Sequence, residues 1–215
     1  VLACSSVVVA RRIFLHGAIG LEGLMQASAI APDAELIGHA QQLQAELERR
    51  SGEIDQLRQL PQDLAEKLAT LGFYRLVVPE HLGGLGTSPD TFCEICETLA
   101  MANGSTAWCV FIGATSQYLF GALPPSQLKK MLANPDVITS GVFADSGTAH
   151  AELRDGVAGY RINGHWRWGS GCRNAEWISG GIHEVDETGE SVQRAAPLTR
   201  VFFRPEEIDI QDNWH

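Results

Sequence analysis

Apolar residues in the first half of the chain recur at the spacing of amphipathic helices. From Asp33 to about Arg50 they lie at intervals of four, three and four, which is one face of a helix. A second, shorter helix is predicted from Pro61, a residue suited to a first helical turn, to Gly72, a residue suited to a helix end. The residues that carry the first stripe are Leu36, Ala40, Leu43 and Leu47.

Three further helices are predicted before residue 134. Ser88 and Pro89 form a cap and first-turn pair for the third helix, and Ser105 is predicted to cap the fourth. The segment Thr106 to Leu123 is apolar nearly all round, which is typical of a helix buried within a bundle. A small helix from Ser126 to Leu132 closes the helical part.

Beyond Asn134 the pattern changes to short runs of β-branched and aromatic residues separated by Gly, Asp and Asn. Helices followed by strands indicate an α+β chain with an all-α domain over residues 31–134 and an incomplete antiparallel β domain over residues 135–215. The predicted strands are Val137 to Phe143, Gly159 to Asn163, His165 to Gly169, Glu176 to Ile182 and Arg200 to Phe203.

The first residues differ in character from the rest of the chain, and residues 1–30 are predicted to be a disordered or artefactual leader. Their apolar run, Val7 to Val9, is too short to span a bilayer, and Arg11 and Arg12 come after it, on the wrong side for a signal peptide. Regular periodicity begins soon after Met25, which would be a plausible true start.

Composition narrows the class of protein. With 45% hydrophobic and 20% charged residues the chain has the balance of a soluble globular protein, and its net charge of −10 argues against nucleic acid as a partner. Five irregularly spaced cysteines favour a reducing cytoplasm over a disulfide framework. No segment predicts a membrane span.

A search for site motifs excludes several chemistries. Cys93 and Cys96 form one CxxC pair, but no second pair or histidine ligand accompanies them, so we interpret both as packing residues and predict no metal site. No Gly-x-Ser-x-Gly, no phosphate-binding Gly-x-x-x-x-Gly-Lys and no spaced dinucleotide fingerprint occurs.

Three segments resemble the acyl-CoA dehydrogenase superfamily of flavoproteins. LAEKLATLGFYRLVVPEHLGGLGTSPD (Leu64 to Asp90) is similar to the opening helices, and NGSTAWCVFIGATSQYLFGALP (Asn103 to Pro124) is similar to the buried helix that approaches the flavin. YRINGHWRWGSGCRNAEWISGG (Tyr160 to Gly181) resembles the stretch Tyr-x-Ile-x-Gly-x-x-x-Trp of the middle domain. The three segments occur in the order that the superfamily has.

The resemblance implies a helical N-terminal domain and a β-barrel-like middle domain. In the superfamily a C-terminal four-helix bundle comes next, which carries part of the flavin site and much of the oligomer contact. This chain stops before such a bundle, so we expect it to be inactive alone, and we expect the full-length protein to be a homo-oligomer, in this superfamily a homotetramer.

The resemblance also implies residues that bind FAD or, alternatively, FMN. Trp168 would offer an apolar face to the isoalloxazine ring, and Ser170 would hydrogen-bond its polar edge near N5. The run Gly141 to Thr148 resembles the flavin-contacting strand and turn, although an ordinary hairpin turn is the alternative. Within this run the predicted cofactor-binding residues are Phe143, Gly147 and Thr148. Trp166 and Trp177 are interpreted as core residues.

Two chemistries occur on this scaffold. The main hypothesis is a dehydrogenase that oxidises an acyl-CoA-type or related small substrate and passes electrons to an electron-transfer flavoprotein. The alternative is a two-component monooxygenase that uses oxygen and takes reduced flavin from a flavin reductase, and the Trp-Gly-Ser-Gly-Cys run is more similar to that branch. A third hypothesis is an inactive truncated fragment. Thr115 or Ser116 would lie next to the substrate, and no residue for proton abstraction can be named.

Overall fold

The computed structural model describes residues 2–8, 33–193 and 199–212. Its helical part precedes its main strands along the chain, so the predicted α+β class is confirmed. The helices are α1 (Ala34–Leu57), α2 (Gln62–Thr70), α3 (Pro89–Ala102), α4 (Gly104–Tyr118) and α5 (Pro125–Met131). The strands are β1 (Leu2–Val8), β2 (Thr139–Arg154), β3 (Val157–Trp166), β4 (Trp177–Val185), β5 (Arg200–Phe203) and β6 (Asp209–Ile210).

The strands form one curled sheet in the order β5-β4-β2-β3-β1-β6. Most neighbours are antiparallel, but β2 and β4 run parallel, so the sheet is mixed where we predicted it to be purely antiparallel. The reason is the connection: β3 lies on the other side of β2, and the chain crosses over from its end to start β4 in the direction of β2. The boundary predicted at residue 134 falls between α5 and β2.

Side-chain caps begin the long helices. Asp33 caps α1 by accepting from the amides of Glu35 and Leu36, and Ser88 caps α3 as predicted. The cap of α4 is Asn103, whose side chain accepts from the amide of Thr106, so the prediction of Ser105 as the cap was wrong. Asn103 lies at the turn between α3 and α4, where its extended backbone suits a cap. Its side-chain amide also donates to the Ser51 hydroxyl of α1.

Helix α1 is longer than predicted, because Ile54 is buried one turn beyond Arg50 and the helix ends at Leu57. It packs along α3, and the Gln44 amide donates to the carbonyl of Thr98 at 3.0 Å. Arg50 joins α1 to α2 through two bonds of 2.6 and 2.9 Å to one carboxylate, that of Asp63. These contacts join α1, α2 and α3 into one packed layer.

One apolar core runs from the helices into the sheet. At its sheet end lies Trp166, which is 1% exposed and donates from Nε1 to the carbonyl of Gly181 at 2.8 Å. Its ring rests on three glycines from three neighbouring strands: a Cβ added there would lie 2.4 to 2.7 Å from the indole. These glycines are Gly147, Gly164 and Gly180. The interpretation of Trp166 as a core residue agrees with this burial.

Strand β2 is continuous over sixteen residues and contains the whole run from Gly141 to Thr148. The run is therefore no hairpin turn, and two irregularities in its pairing with β4 make a bulge around Asp145. The turn lies instead at Asp155 and Gly156, both with positive φ. The two strands predicted for residues 159–163 and 165–169 are one strand, β3, which ends at Trp166.

The predicted disorder of the leader does not hold for Leu2–Val8, which form β1 and pair with β3. Their backbone groups complete hydrogen bonds that an edge strand would otherwise leave open. Residues 9–32, including Arg11, Arg12 and Met25, lie outside the described residues. Within the described part of the chain, no helix is long and apolar enough to cross a bilayer.

We predict that Gly147→Ala destabilises the protein by about 1–3 kcal/mol, because the new methyl group would overlap the Trp166 ring and the Ile182 side chain. The matched control is Gly52→Ala in α1, where an added Cβ meets nothing within 4 Å. That control should gain roughly 0.5–1 kcal/mol from helix propensity. Urea unfolding of the three proteins measures both effects, and equal stabilities would contradict the role given to Trp166.

Candidate functional site

A cleft of about 780 Å³ opens between the helical part and the sheet. Its walls are the end of α1, the first turns of α4, the loop 167–173 between β3 and β4, and residues 210–212. Its volume lies in the range of small-molecule and cofactor sites. The cleft contains Trp168 and Ser170, two of the five predicted cofactor-binding residues.

The loop holds Trp168 in an unusual conformation. Its φ is 62°, in the left-handed region that bulky residues avoid, and 70% of the residue is exposed. Gly171, with φ of 75°, allows the loop to turn back over Cys109 of α4. A large exposed aromatic residue on a strained backbone is costly to the folded protein alone, which points to a ligand contact.

Ser170 is held by three hydrogen bonds. The Ser140 hydroxyl donates to its carbonyl at 2.6 Å, and its amide donates to the carbonyl of Trp168 at 2.8 Å. Its own hydroxyl oxygen accepts from Nε1 of Trp108 at 3.1 Å. The side chain predicted to meet a flavin edge is thus positioned by both the sheet and α4.

Among the described residues no bundle encloses helix α4, although its sequence, apolar nearly all round, predicted a helix buried within one. Trp108 is 53% and Tyr118 46% exposed, and the less buried face of the helix also carries Phe111 and Thr115. Residues at this spacing lie on one face, but a helix that is apolar all round gives no signal of which face is open. Trp108 was therefore not predicted as a site residue; its ring lies flat beside that of Phe111, with centroids 5.4 Å apart.

The two predicted substrate-adjacent residues lie two turns further along α4 and do not line the cleft. The Thr115 hydroxyl donates within its own helix, to the carbonyls of Phe111 and Ile112. Ser116 is fully buried between α4 and the sheet, where its hydroxyl faces Gly141. Trp108 and Cys109 line the cleft in their place.

The other predicted cofactor residues lie on β2, away from the cleft. Gly147 faces the Trp166 ring, which accounts for its lack of a side chain, and Thr148 is opposite His183 of β4. Phe143 is 47% exposed, and the Arg200 guanidinium lies 4.8 Å from its ring centre. Burial lowers the pKa of Arg200, which also donates to the carbonyls of Val142 and Phe143.

Charged groups also line the cleft. Asp212 is shared by Arg58 from the end of α1 and by Arg173 from the loop, which ties the two walls together. Both pairs are partly exposed and are worth little to stability. Arg167 adds a further positive charge to the lining.

Four cysteines of the described residues are free thiols. Cys93 is exposed, whereas burial raises the pKa of Cys96 and that of Cys109 to about 12. Burial also raises the pKa of Cys172, at the end of the loop. At neutral pH Cys109 is therefore a neutral thiol and no nucleophile. In the described part of the chain, no three His, Cys, Asp or Glu side chains are grouped to hold a metal ion.

Comparison with known proteins gives the family. Residues 39–133 match the family described as acyl-CoA dehydrogenase, N-terminal domain. The crystal structure of the HsaA monooxygenase from Mycobacterium tuberculosis superposes on 86% of this chain with a TM-score of 0.73 and 27% identity. The chain belongs to the acyl-CoA dehydrogenase superfamily. The match continues beyond the helices into the curled sheet, as the sequence motifs implied.

Several relatives of this chain are monooxygenases or hydroxylases by name. Indole-3-acetate monooxygenase of Acinetobacter baumannii is 40% identical over 61% of this chain and 33% of its own length. The oxygenase subunit HsaA of Rhodococcus jostii is 31% identical over 79% of this chain and 42% of its own length. The oxygenase component of p-hydroxyphenylacetate 3-hydroxylase of Acinetobacter baumannii is 27% identical over 89% of this chain and 44% of its own length. The chain thus spans less than half the length of these relatives.

We predict that Cys109 resists alkylation although it lines the cleft. With a pKa of about 12, on the order of one molecule in ten thousand carries a thiolate there at pH 8, so iodoacetamide should modify the exposed Cys93 first. Mass spectrometry of peptides after a short pulse at pH 8 measures the two rates. Labelling of Cys109 as fast as that of Cys93 would show that the thiol is activated.

Proposed function

We propose that the chain is part of the oxygenase component of a two-component flavin-dependent monooxygenase that hydroxylates a small aromatic compound. The observation that carries this proposal is the extent of the monooxygenase matches. The match to the p-hydroxyphenylacetate 3-hydroxylase component covers 197 residues and so includes the loop of Trp168 and Ser170. The match that bears the dehydrogenase name is to the helical part, residues 39–133.

The residues of the cleft fit a flavin. The exposed Trp168 ring provides flat apolar surface for an isoalloxazine, and the Ser170 hydroxyl, which accepts from Nε1 of Trp108, provides a polar contact beside it. Such a group supplies the electron transfer and oxygen chemistry, and the chain supplies position and polarity. We propose FAD, with FMN as the alternative, because XiaF from Streptomyces, 26% identical over 85% of this chain, was solved with FADH2.

In this proposal each side chain has a limited task. Trp168 covers one face of the ring and excludes water from it, and Ser170 hydrogen-bonds the polar edge. Phe143, Gly147 and Thr148 lie in the middle of β2, outside the cleft, and are proposed to contact the rest of the same cofactor. We also propose that Thr115 and Ser116 lie next to the substrate. On α4, Trp108 lines the cleft and these two do not.

The partners depend on the reaction class. An oxygenase component uses reduced flavin that a flavin reductase supplies, so we propose such a reductase as the partner. The relatives act on indole-3-acetate and p-hydroxyphenylacetate by name, and we propose a small aromatic substrate of that kind. We further propose that the complete protein is a homotetramer located in the cytoplasm.

The second candidate is an acyl-CoA dehydrogenase, which the family match of the helical part favours. Two assays on the protein translated from its complete reading frame separate the candidates. We expect aromatic acids to be hydroxylated when reduced FAD and oxygen are supplied, and we expect no bleaching of bound FAD by acyl-CoA thioesters without oxygen. Anaerobic bleaching together with no hydroxylated product would replace the proposed function by the dehydrogenase.

We predict opposite effects of Trp168→Gly on stability and on flavin binding. Glycine relieves the left-handed backbone, a strain of about 1–2 kcal/mol, and little packing is lost because the side chain is 70% exposed. The unfolding free energy should therefore stay the same or rise. The affinity for FAD should fall about tenfold or more, since one stacking face is removed.

The control for this variant is Leu153→Ala, which removes an equally exposed apolar side chain outside the cleft. It should leave FAD affinity unchanged in equilibrium dialysis. If Trp168→Gly binds FAD as tightly as the wild type, Trp168 is no part of the flavin site.

A further inference from the structure

We infer that Trp108 is a positioning residue that orients the Ser170 hydroxyl, so that its proton points into the cleft as a hydrogen-bond donor to the ligand. This inference rests on the proposed flavin site and adds to it a residue on α4. The observation is the 3.1 Å bond between Nε1 of Trp108 and Oγ of Ser170, which joins the helical part to the loop across the cleft wall.

The roles in this bond are settled by chemistry. An indole N–H can only donate, so the serine oxygen must be the acceptor. One of its two lone pairs is then used, and its proton remains for another acceptor. No second bond of the Ser170 hydroxyl is found among the described residues, and the side chain lines the cleft. The free proton and the remaining lone pair are therefore available to a ligand there.

Both partners are held before a ligand arrives. The Trp108 ring is parallel within 5° to that of Phe111, which in turn stacks on Phe92 of α3 at 5.4 Å. The backbone of Ser170 is bonded through its carbonyl to Ser140. Because the loop backbone and the indole are fixed, the hydroxyl keeps one main freedom, the direction of its proton, and the Nε1 bond restricts that direction.

The bond also changes the strength of the hydroxyl as a donor. A hydroxyl that accepts one hydrogen bond is polarised and donates a second one more strongly, by roughly 10–30% per bond. The ligand atom that meets Ser170 should therefore be an acceptor, such as a carbonyl oxygen of the flavin ring, which accepts in both the oxidised and the reduced form. Without Trp108 the Ser170 hydroxyl would rotate freely in the unbound protein. It would then lose that freedom when a ligand binds, and this entropy cost would weaken binding.

The first test observes the pair directly, without flavin. In ¹H–¹⁵N spectra of the 215-residue chain, Trp108→Phe assigns the Trp108 indole signal by its loss. We expect Ser170→Ala to move that signal upfield, because the N–H loses its acceptor. The matched control Ser105→Ala changes another serine of the cleft lining and should leave the signal in place. An unmoved signal in Ser170→Ala would overturn the inference.

The second test asks whether Trp108 acts through Ser170. The FAD dissociation constant is measured for the wild type, Trp108→Phe, Ser170→Ala and the double variant of the complete protein. Each single change should weaken binding about two- to tenfold, the size of one hydrogen bond. The double variant should bind no more weakly than Ser170→Ala alone, because Trp108 has then lost the group it orients.

The outcomes separate the two proposals. If the effects of the two single changes multiply in the double variant, Trp108 contacts the ligand independently and the positioning role is wrong, while the flavin site stands. If the wild-type protein binds no flavin, the proposed function and this inference both fail. Unchanged urea midpoints for both single variants exclude a general loss of structure as the cause.

Discussion

The sheet depends on the packing of one indole ring against three glycines. Trp166 ends β3, and its ring occupies the space left by Gly147, Gly164 and Gly180 on three adjacent strands. Any side chain at these positions would push the strands from the ring, because close-packed interiors have no spare volume. The hydrogen bond from Trp166 to the Gly181 carbonyl fixes the ring in its plane as well. The middle strands are thereby locked at the point where β3 ends.

This constraint positions the candidate site, since the loop of Trp168 and Ser170 begins one residue after Trp166. The start of the loop is anchored in the core, and Ser140 and Trp108 hold its middle from two sides. The strained backbone and exposed ring of Trp168 persist because these neighbours leave the loop no easier conformation. A rigid loop that presents an aromatic face and an oriented hydroxyl is a suitable surface for a flat cofactor.

The choice between two chemistries turns on which part of the chain is compared. The helical motifs, such as the turn after Pro79, are common to the superfamily and led to a dehydrogenase as the main hypothesis. The Trp-Gly-Ser-Gly-Cys loop favoured the monooxygenase alternative, and the relatives matched over most of the chain are monooxygenases. The superfamily supplies the scaffold, and in the proposed function the residues of one loop distinguish the two chemistries, in line with the rule that function depends on the site and not on the fold.

The sequence by itself determined the order of the helices and of the strands β2 to β5 that follow them, the cap at Ser88, and the choice of Trp168 and Ser170 as candidate site residues. These features depend on local periodicity, local turns and a motif within one short segment. Only the tertiary structure decided that β2 and β4 are parallel, that Gly147 makes room for Trp166, and that Trp108 meets Ser170. Each of these joins residues far apart in the chain, and periodicity carries no information about such contacts. The open face of α4 was equally hidden, because a helix that is apolar on every side acquires a buried and an exposed face only when the sheet packs against one of them.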